Sequence, residues 1–252
     1  MIVAKDYGMH LNKATLGVIQ ASTMASPNVV LYNAFDANNI RFAPMEKNKK
    51  GGKIVNVTYG SEDSKRRVIL QTPIVSIPFG VTPYQEVSTG EIQSYSIDIS
   101  FRNMNTDPKM ADFLDRMRGL DNLLLDTGVE NSKEWFGKPM NRELVQEFCR
   151  KLVKDPANTQ YPPTMKVKVP MVNGEPSAMF FDENRNPVKI DYFTKGTTVK
   201  MILELSSVWF VNKNYGITWR LIQAAAVSKP RRLDGYSFQD DDEEIDEVQE
   251  EY

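Results

Sequence analysis

Chemistry in this 252-residue chain has to proceed without a histidine relay or a cysteine cluster, because His10 is its only histidine and Cys149 its only cysteine. That excludes His/Cys metal centres, serine or cysteine triads that need a second histidine, and an internal disulfide framework. No Gly-Lys-Ser/Thr loop is present to cradle a nucleotide phosphate. Carboxylate-only acid–base chemistry is buildable, but no spacing singles it out. The expectation is a protein that is not an enzyme and uses neither metal nor cofactor, with His10 and Cys149 structural.

The residue types and spacings point instead to recognition of a polyanion. Residues 41–67 hold eight basic residues against three acidic ones, and the run Lys47-Asn48-Lys49-Lys50-Gly51-Gly52-Lys53 reads as a flexible cationic loop able to follow phosphates. Arg66 and Arg67 extend it. Lys166 and Lys168 alternate with Met165, Val167 and Val169, so one face of that strand is apolar and the other cationic. By the same parity Lys189, Phe193, Lys200, Phe210 and Arg220 are expected outside, with Lys213 and Tyr215 in a turn. An exposed aromatic beside a cation can stack a base, at about 1–3 kcal/mol each. Phe193, Phe210 and Tyr215 are the expected platforms, the alternative being that they pack under the inserted helices, whereas Trp209 and Trp219, the other candidates for stacking, share parity with Val199, Met201, Leu203, Leu205 and Leu221 and read as core.

Charge is distributed unevenly. Residues 234–252 contain ten of the 33 acidic residues and none of the 31 basic ones, which leaves 31 basic against 23 acidic elsewhere, a formal +8. A run such as Asp240-Asp241-Asp242-Glu243-Glu244, followed by Asp246, Glu247, Glu250, Glu251 and Tyr252, repels itself and is expected to be a disordered arm. Tethered to a cationic body, it reads either as a solubility appendage or as an arm that competes for the body's groove and recruits partners such as a polymerase or helicase, and the second is the expectation.

The elements that must position these residues are mostly strands. Val29–Tyr32, Ile54–Tyr59, Val68–Ile77 and Ile92–Phe101 are β-rich, and in the last of these Tyr95, Ile97, Ile99 and Phe101 share one face. Met110, Phe113, Leu114, Met117, Leu120 and Leu124 recur at helical spacing after Asp107-Pro108. A second helix, capped by Asn141, carries Leu144, Val145, Phe148, Cys149 and Leu152 on one stripe. Strands return at Met165, and Val199–Val211 and Ile217–Val227 read as a hairpin about residues 212–216, with Trp209 facing Trp219. The expected organisation is a core domain at 1–233, helices inserted at about 107–154, and the acidic arm at 234–252.

The segment Val208-Trp209-Phe210-Val211-Asn212-Lys213-Asn214-Tyr215-Gly216-Ile217-Thr218-Trp219-Arg220-Leu221-Ile222-Gln223-Ala224 resembles the closing strands of OB-fold single-stranded DNA-binding proteins of large nucleocytoplasmic DNA viruses. The acidic arm ending in an aromatic resembles that of phage replication proteins. The resemblance implies an α+β protein on a Greek-key OB-fold β-barrel that coats single-stranded DNA, without sequence preference, during viral replication, recombination or repair. It also implies a role for the arm in partner recruitment. The contact residues above come from charge and parity alone. RNA binding is a close variant, and a virion structural or scaffold protein that uses the hairpin as an oligomer interface is the reading from another class. The absence of a long apolar run or signal-peptide core gives an intracellular expectation, at the host nucleus or a cytoplasmic replication site, with no membrane partner and a possible homo-oligomer.

Overall fold

The computed structural model describes residues 29–49, 51–61 and 63–230, so His10, Lys50 and the acidic arm lie outside the described residues. The chain is a mixed α+β structure. Its strands are β1 (Val29–Leu31), β2 (Ile40–Lys47), β3 (Lys53–Tyr59), β4 (Val68–Gln71), β5 (Val75–Ile77), β6 (Val81–Gln85) and β7 (Ile92–Ser100). Three helices follow, α1 (Pro108–Glu130), α2 (Ser132–Phe136) and α3 (Arg142–Phe148). After them come β8 (Cys149–Arg150), β9 (Val153–Lys154), β10 (Thr164–Val172), β11 (Glu175–Pro176), β12 (Met179–Phe181), β13 (Thr197–Leu205), β14 (Ser207–Val211), β15 (Asn214–Ile217) and β16 (Trp219–Ser228).

In the larger sheet the pairings close on themselves. β5 pairs β7, β7 pairs β10, β10 runs parallel to β16, β16 pairs β13, and β13 returns to β5. Alternation explains what fills the ring: Ile97, Ile99, Met165, Val167, Val169, Val199, Met201 and Leu203 are buried, while Lys166, Lys168 and Lys200 between them are exposed. At about 25 cal/mol per Å² of apolar surface, such side chains supply most of the drive to fold. β6 extends the ring from β7 as a hairpin partner. A second sheet, in the order β2-β3-β14-β15-β8, lies beside it.

The helices start where their caps predict. The Asp107 carboxylate accepts from the Lys109 amide at 2.9 Å, with Pro108 in the first turn. The Asn141 side chain accepts from the Leu144 amide at 3.1 Å. The expected α1 stripe is buried throughout, and Phe113 meets Phe101 at the end of β7 with centroids 5.5 Å apart. The second helix is shorter than its stripe. It stops at Phe148 because the Asp121 carboxylate on α1 accepts from the Leu152 and Val153 amides at 2.7 and 3.1 Å, which draws the chain out to pair β9 with β10. Helix α2, not anticipated from the sequence, is five residues long and ends on Gly137 at φ +83°.

The expected Val199–Val211 and Ile217–Val227 hairpin is corrected. Exposed Ser206 separates β13 from β14, Thr218 separates β15 from β16, and each run serves two sheets. β14 and β15 pair across a two-residue turn, Asn212-Lys213, with Asn212 at φ +55°, so that Val211 meets Asn214 and Trp209 meets Gly216 rather than Trp219. This is an odd-numbered shift from the expected register, and an odd shift exchanges the faces. Trp219 belongs to the core, fully buried, while Trp209 is only half-buried and turned toward solvent.

Candidate nucleic-acid interface

A groove of about 840 Å³ opens between the β6–β7 hairpin, β10, and the segment from Cys149 to Lys154 that leaves α3. Among the described residues five cations line it, Arg150, Lys151, Lys154, Lys166 and Lys168, together with three aromatics, Tyr84, Tyr95 and Trp209, and no carboxylate. Lys166 and Lys168 reach it because their inward neighbours, Met165, Val167 and Val169, anchor the strand in the core. The Lys166 ammonium bonds the Asp98 carboxylate at 2.9 Å and the Ser96 hydroxyl at 3.4 Å, whereas Lys168 has no ion-pair partner among the described residues. Arg150 is brought in by β8, which pairs it with Gly216.

The Trp209 ring is held in two ways. Its indole N–H donates to the Thr218 hydroxyl at 3.0 Å, and its six-membered ring lies over the backbone of Gly216, where an added Cβ would sit 2.6 Å from Cζ2. Only a residue without a side chain fits beneath it. Tyr84, 65% exposed, stands on the β6–β7 hairpin opposite Ser94, and Tyr95 is half-buried next to it. The surface therefore alternates flat rings with ammonium and guanidinium groups and hydroxyls, the composition that stacks bases and neutralises phosphates.

The residues expected at the interface divide between several places. Lys166 and Lys168 line this groove. Lys53, Phe210 and Lys213 line a separate cavity on the other face of the second sheet. Lys47 and Lys49 stand exposed at the β2–β3 turn. Arg66 lies over the Tyr59 ring, 5.3 Å from its centroid. Arg67 and Arg220 both grip Glu204. Burial pushes the Glu204 carboxyl upward, but the two guanidiniums outweigh it and hold the group below the usual glutamate range. Lys189 and Lys200 are exposed away from either cavity.

Two expected platforms are corrected. Phe193 follows a 3₁₀ turn, Ile190–Tyr192, instead of sitting in a strand, so the alternation that placed it outside does not hold. It is buried against Phe180 at 5.3 Å. Tyr215 lies in β15 rather than in a turn, fully buried among Trp135, Phe136 and Phe210 and so close to Gly128 of α1 that an added Cβ there would sit 2.8 Å from its Cζ. Burial, followed by the neighbouring Cys149 thiol, raises its phenol well above the ordinary value. Phe210 is half-buried in the same cluster. The groove residues that sequence reasoning missed are Tyr84, Tyr95, Arg150, Lys151, Lys154 and Trp209. Three cations within Arg150–Lys154 were a visible signal, obscured by assigning the segment to a helix.

Among the described residues no cluster of His, Cys, Asp and Glu is arranged to hold a metal, and no helix is long and apolar enough to cross a membrane. Solved structures similar to this chain include the single-stranded DNA-binding protein from bacteriophage Enc34. One structure of it matches at 10% identity and TM-score 0.38, over 79% of this chain and 96% of that one. Its complex with single-stranded DNA matches at 10% and 0.40, over 77% and 99%. A third is gp2.5, a single-stranded DNA-binding protein encoded by bacteriophage T7, at 13% and 0.43 over 68% and 98%. No curated protein matches the sequence. Residues 95–240, from the groove's own Tyr95 through the helices and both halves of the β14–β15 hairpin, match a single family description, and the chain belongs to that family, the family of unknown function DUF5871.

Proposed function

We propose that this protein binds single-stranded DNA, without sequence preference, in the groove between the β6–β7 hairpin and Trp209. The observation that carries the proposal is the lining itself: five cations and three aromatics with no carboxylate among the described residues. Duplex bases are hidden in the stack, so a surface built of platforms rather than groove-reading side chains favours unpaired bases. Tyr84, Tyr95 and Trp209 stack bases, while Arg150, Lys151, Lys154, Lys166 and Lys168 displace counterions from the phosphates. The pairing ring β5-β7-β10-β16-β13, with its one parallel contact between β10 and β16, fits a five-stranded Greek-key OB barrel, and the groove crosses the face on which such barrels hold oligonucleotides. In this reading the protein coats strands exposed in replication, recombination or repair, and its acidic arm recruits replication proteins.

Fluorescence titrations with single-stranded and duplex oligonucleotides across a salt series test this. The expected result is tighter binding to single strands, indifferent to sequence, with log K falling against log salt with a slope of roughly −3.5, about −0.7 for each phosphate neutralised. Equal or tighter binding to duplex, or a slope near zero, would overturn it.

A further inference from the structure

A second cavity, of about 430 Å³, lies between α2, α3 and the β14–β15 turn. We propose that it is a second nucleotide site, taking one base and its phosphate from the same strand that fills the groove; the inference rests on the single-strand reading above. Its floor is aromatic and its rim cationic. Phe136, Phe148 and Phe210 present half-buried rings, Lys53, Lys138 and Lys213 stand exposed at the mouth, and among the described residues no carboxylate lines the cavity. The volume falls within the range of small-ligand pockets.

The rings are already in place. Phe210 stacks on Tyr215 with centroids 6.1 Å apart and planes 18° apart, and the edge contacts to Trp135 and Phe136 at 5.4 and 6.3 Å fix its orientation. The Lys53 ammonium donates one proton to the Trp135 carbonyl at 2.9 Å, which holds the group at the mouth and leaves two donors for a phosphate. Asn212, in the turn, adds an amide that can both donate and accept at a base edge.

Position favours a nucleic-acid strand over any other anion with an aromatic face. Trp209 and Phe210 are consecutive in β14, so they face opposite sides of one sheet, Trp209 into the groove and Phe210 into the cavity. Phe148 lines the cavity and Arg150, two residues on, lines the groove. The protein's own chain thus passes from one site to the other at β8, the outermost strand of that sheet. A DNA strand leaving the groove past Arg150 and turning over this edge arrives at Phe148 and Phe210.

The test uses the full chain and its K138E/K213E variant, both changes lying on exposed side chains, with oligothymidylates of roughly 6 and roughly 14 nucleotides, the span covered by single-strand sites of this size. The wild type is expected to bind the longer oligomer at least about tenfold more tightly than the shorter one. The variant should lose that gain, keep its affinity for the short oligomer, and show a salt slope shallower by about 0.7 per lysine. Longer oligomers with 5-iodouracil near one end should photocrosslink to the peptides holding Phe148 or Phe210. The inference is overturned if the variant matches the wild type at both lengths, or if crosslinks stay confined to Tyr84, Tyr95 and Trp209. It is equally overturned if carbodiimide couples Lys138 or Lys213 to residues 240–244 and the long oligomer leaves that coupling unchanged, which would make an acidic peptide the occupant. A short oligomer that fails to bind the wild type instead sinks the groove reading, and this one with it.

Discussion

Trp209 and Trp219 stand ten residues apart on what reads as one alternating surface, yet their surroundings are opposite. Trp219 is fully buried inside the strand ring, its edge toward Phe35 at 6.1 Å. Trp209 lies half-exposed across Gly216 at the groove. The difference comes from a chain that changes sheets twice within a dozen residues, at Ser206 and at Thr218. A change of sheet resets parity, so a tryptophan's neighbours in sequence stop being a guide to the face it occupies.

The largest expected effects exchange the two roles. Trp219→Ala should cost about 3–5 kcal/mol of stability as a core truncation. Trp209→Ala should lower the melting temperature much less, losing a half-buried ring and its hydrogen bond to Thr218, while removing one stacked base, about 1–3 kcal/mol of single-strand affinity. Thermal melts paired with binding titrations decide between them, and a Trp209 variant that melts early but binds normally would return that residue to the core.

Next in size is the support beneath the platform. Gly216→Ala places a Cβ against the Trp209 ring and 3.1 Å from the Arg150 carbonyl, which is backbone and cannot yield cheaply. Affinity should fall by about as much as in Trp209→Ala, because the ring must lift off its seat. If the Gly216→Ala protein binds single strands like the wild type, the ring's pose is immaterial and stacking at Trp209 is not part of recognition.

How much of this was legible follows from the same contrast. Alternation holds through the middle of β7 and along the first six residues of β10, and there it placed Ile97, Ile99, Val167, Lys166 and Lys168 correctly, whereas β16 shifts its inward parity between Leu221 and Ala224 opposite the irregularity in β13. The caps at Asp107 and Asn141 were also readable, being local chemistry. The groove was not, because its parts come from four separate stretches: Tyr84 and Tyr95 from one hairpin, the lysines of β10, the cations after α3, and Trp209. The stretch after α3 depends on two long-range events that carry no local period. One is the Asp121 carboxylate capturing the Leu152 and Val153 amides, and the other is the parallel pairing of β8 with β15. Phe193 failed for a related reason, since a three-residue 3₁₀ turn leaves too few positions to reveal its period.

Charge reversal separates groove cations from structural ones with a smaller effect. Lys168→Glu should weaken single-strand binding by about tenfold at low salt and flatten the salt slope by about 0.7, since Lys168 faces the groove without a carboxylate partner. Lys200→Glu, equally exposed on β13 but outside the groove, should change neither. Equal losses from both would mean that binding follows net charge alone and that the groove has no special part in it.

The smallest effect concerns Glu204, which ties Arg67 of the segment before β4 to Arg220 of β16. Burial raises its pKa, and the hydrogen bonds and charges of Arg220 and Arg67 more than reverse that, so the folded-state value lies below the ordinary 4.5. A carboxyl with a depressed folded-state pKa binds its proton more readily when unfolded. Its contribution is therefore fully present above about pH 4.5 and is lost as pH falls through the folded-state value. Both arginines are substantially exposed, at 65% and 46%, so solvent screens the pair and the contribution is modest. Melting curves of wild type and Glu204→Gln should differ at pH 7 and converge as acid protonates the wild-type carboxyl. Single-strand affinity at pH 7 should be the same in both if Arg67 and Arg220 serve the fold alone. Should Glu204→Gln instead bind single strands more tightly, the two guanidiniums released from the carboxylate have become available to phosphates, and the cationic surface extends beyond the groove onto β13 and β16.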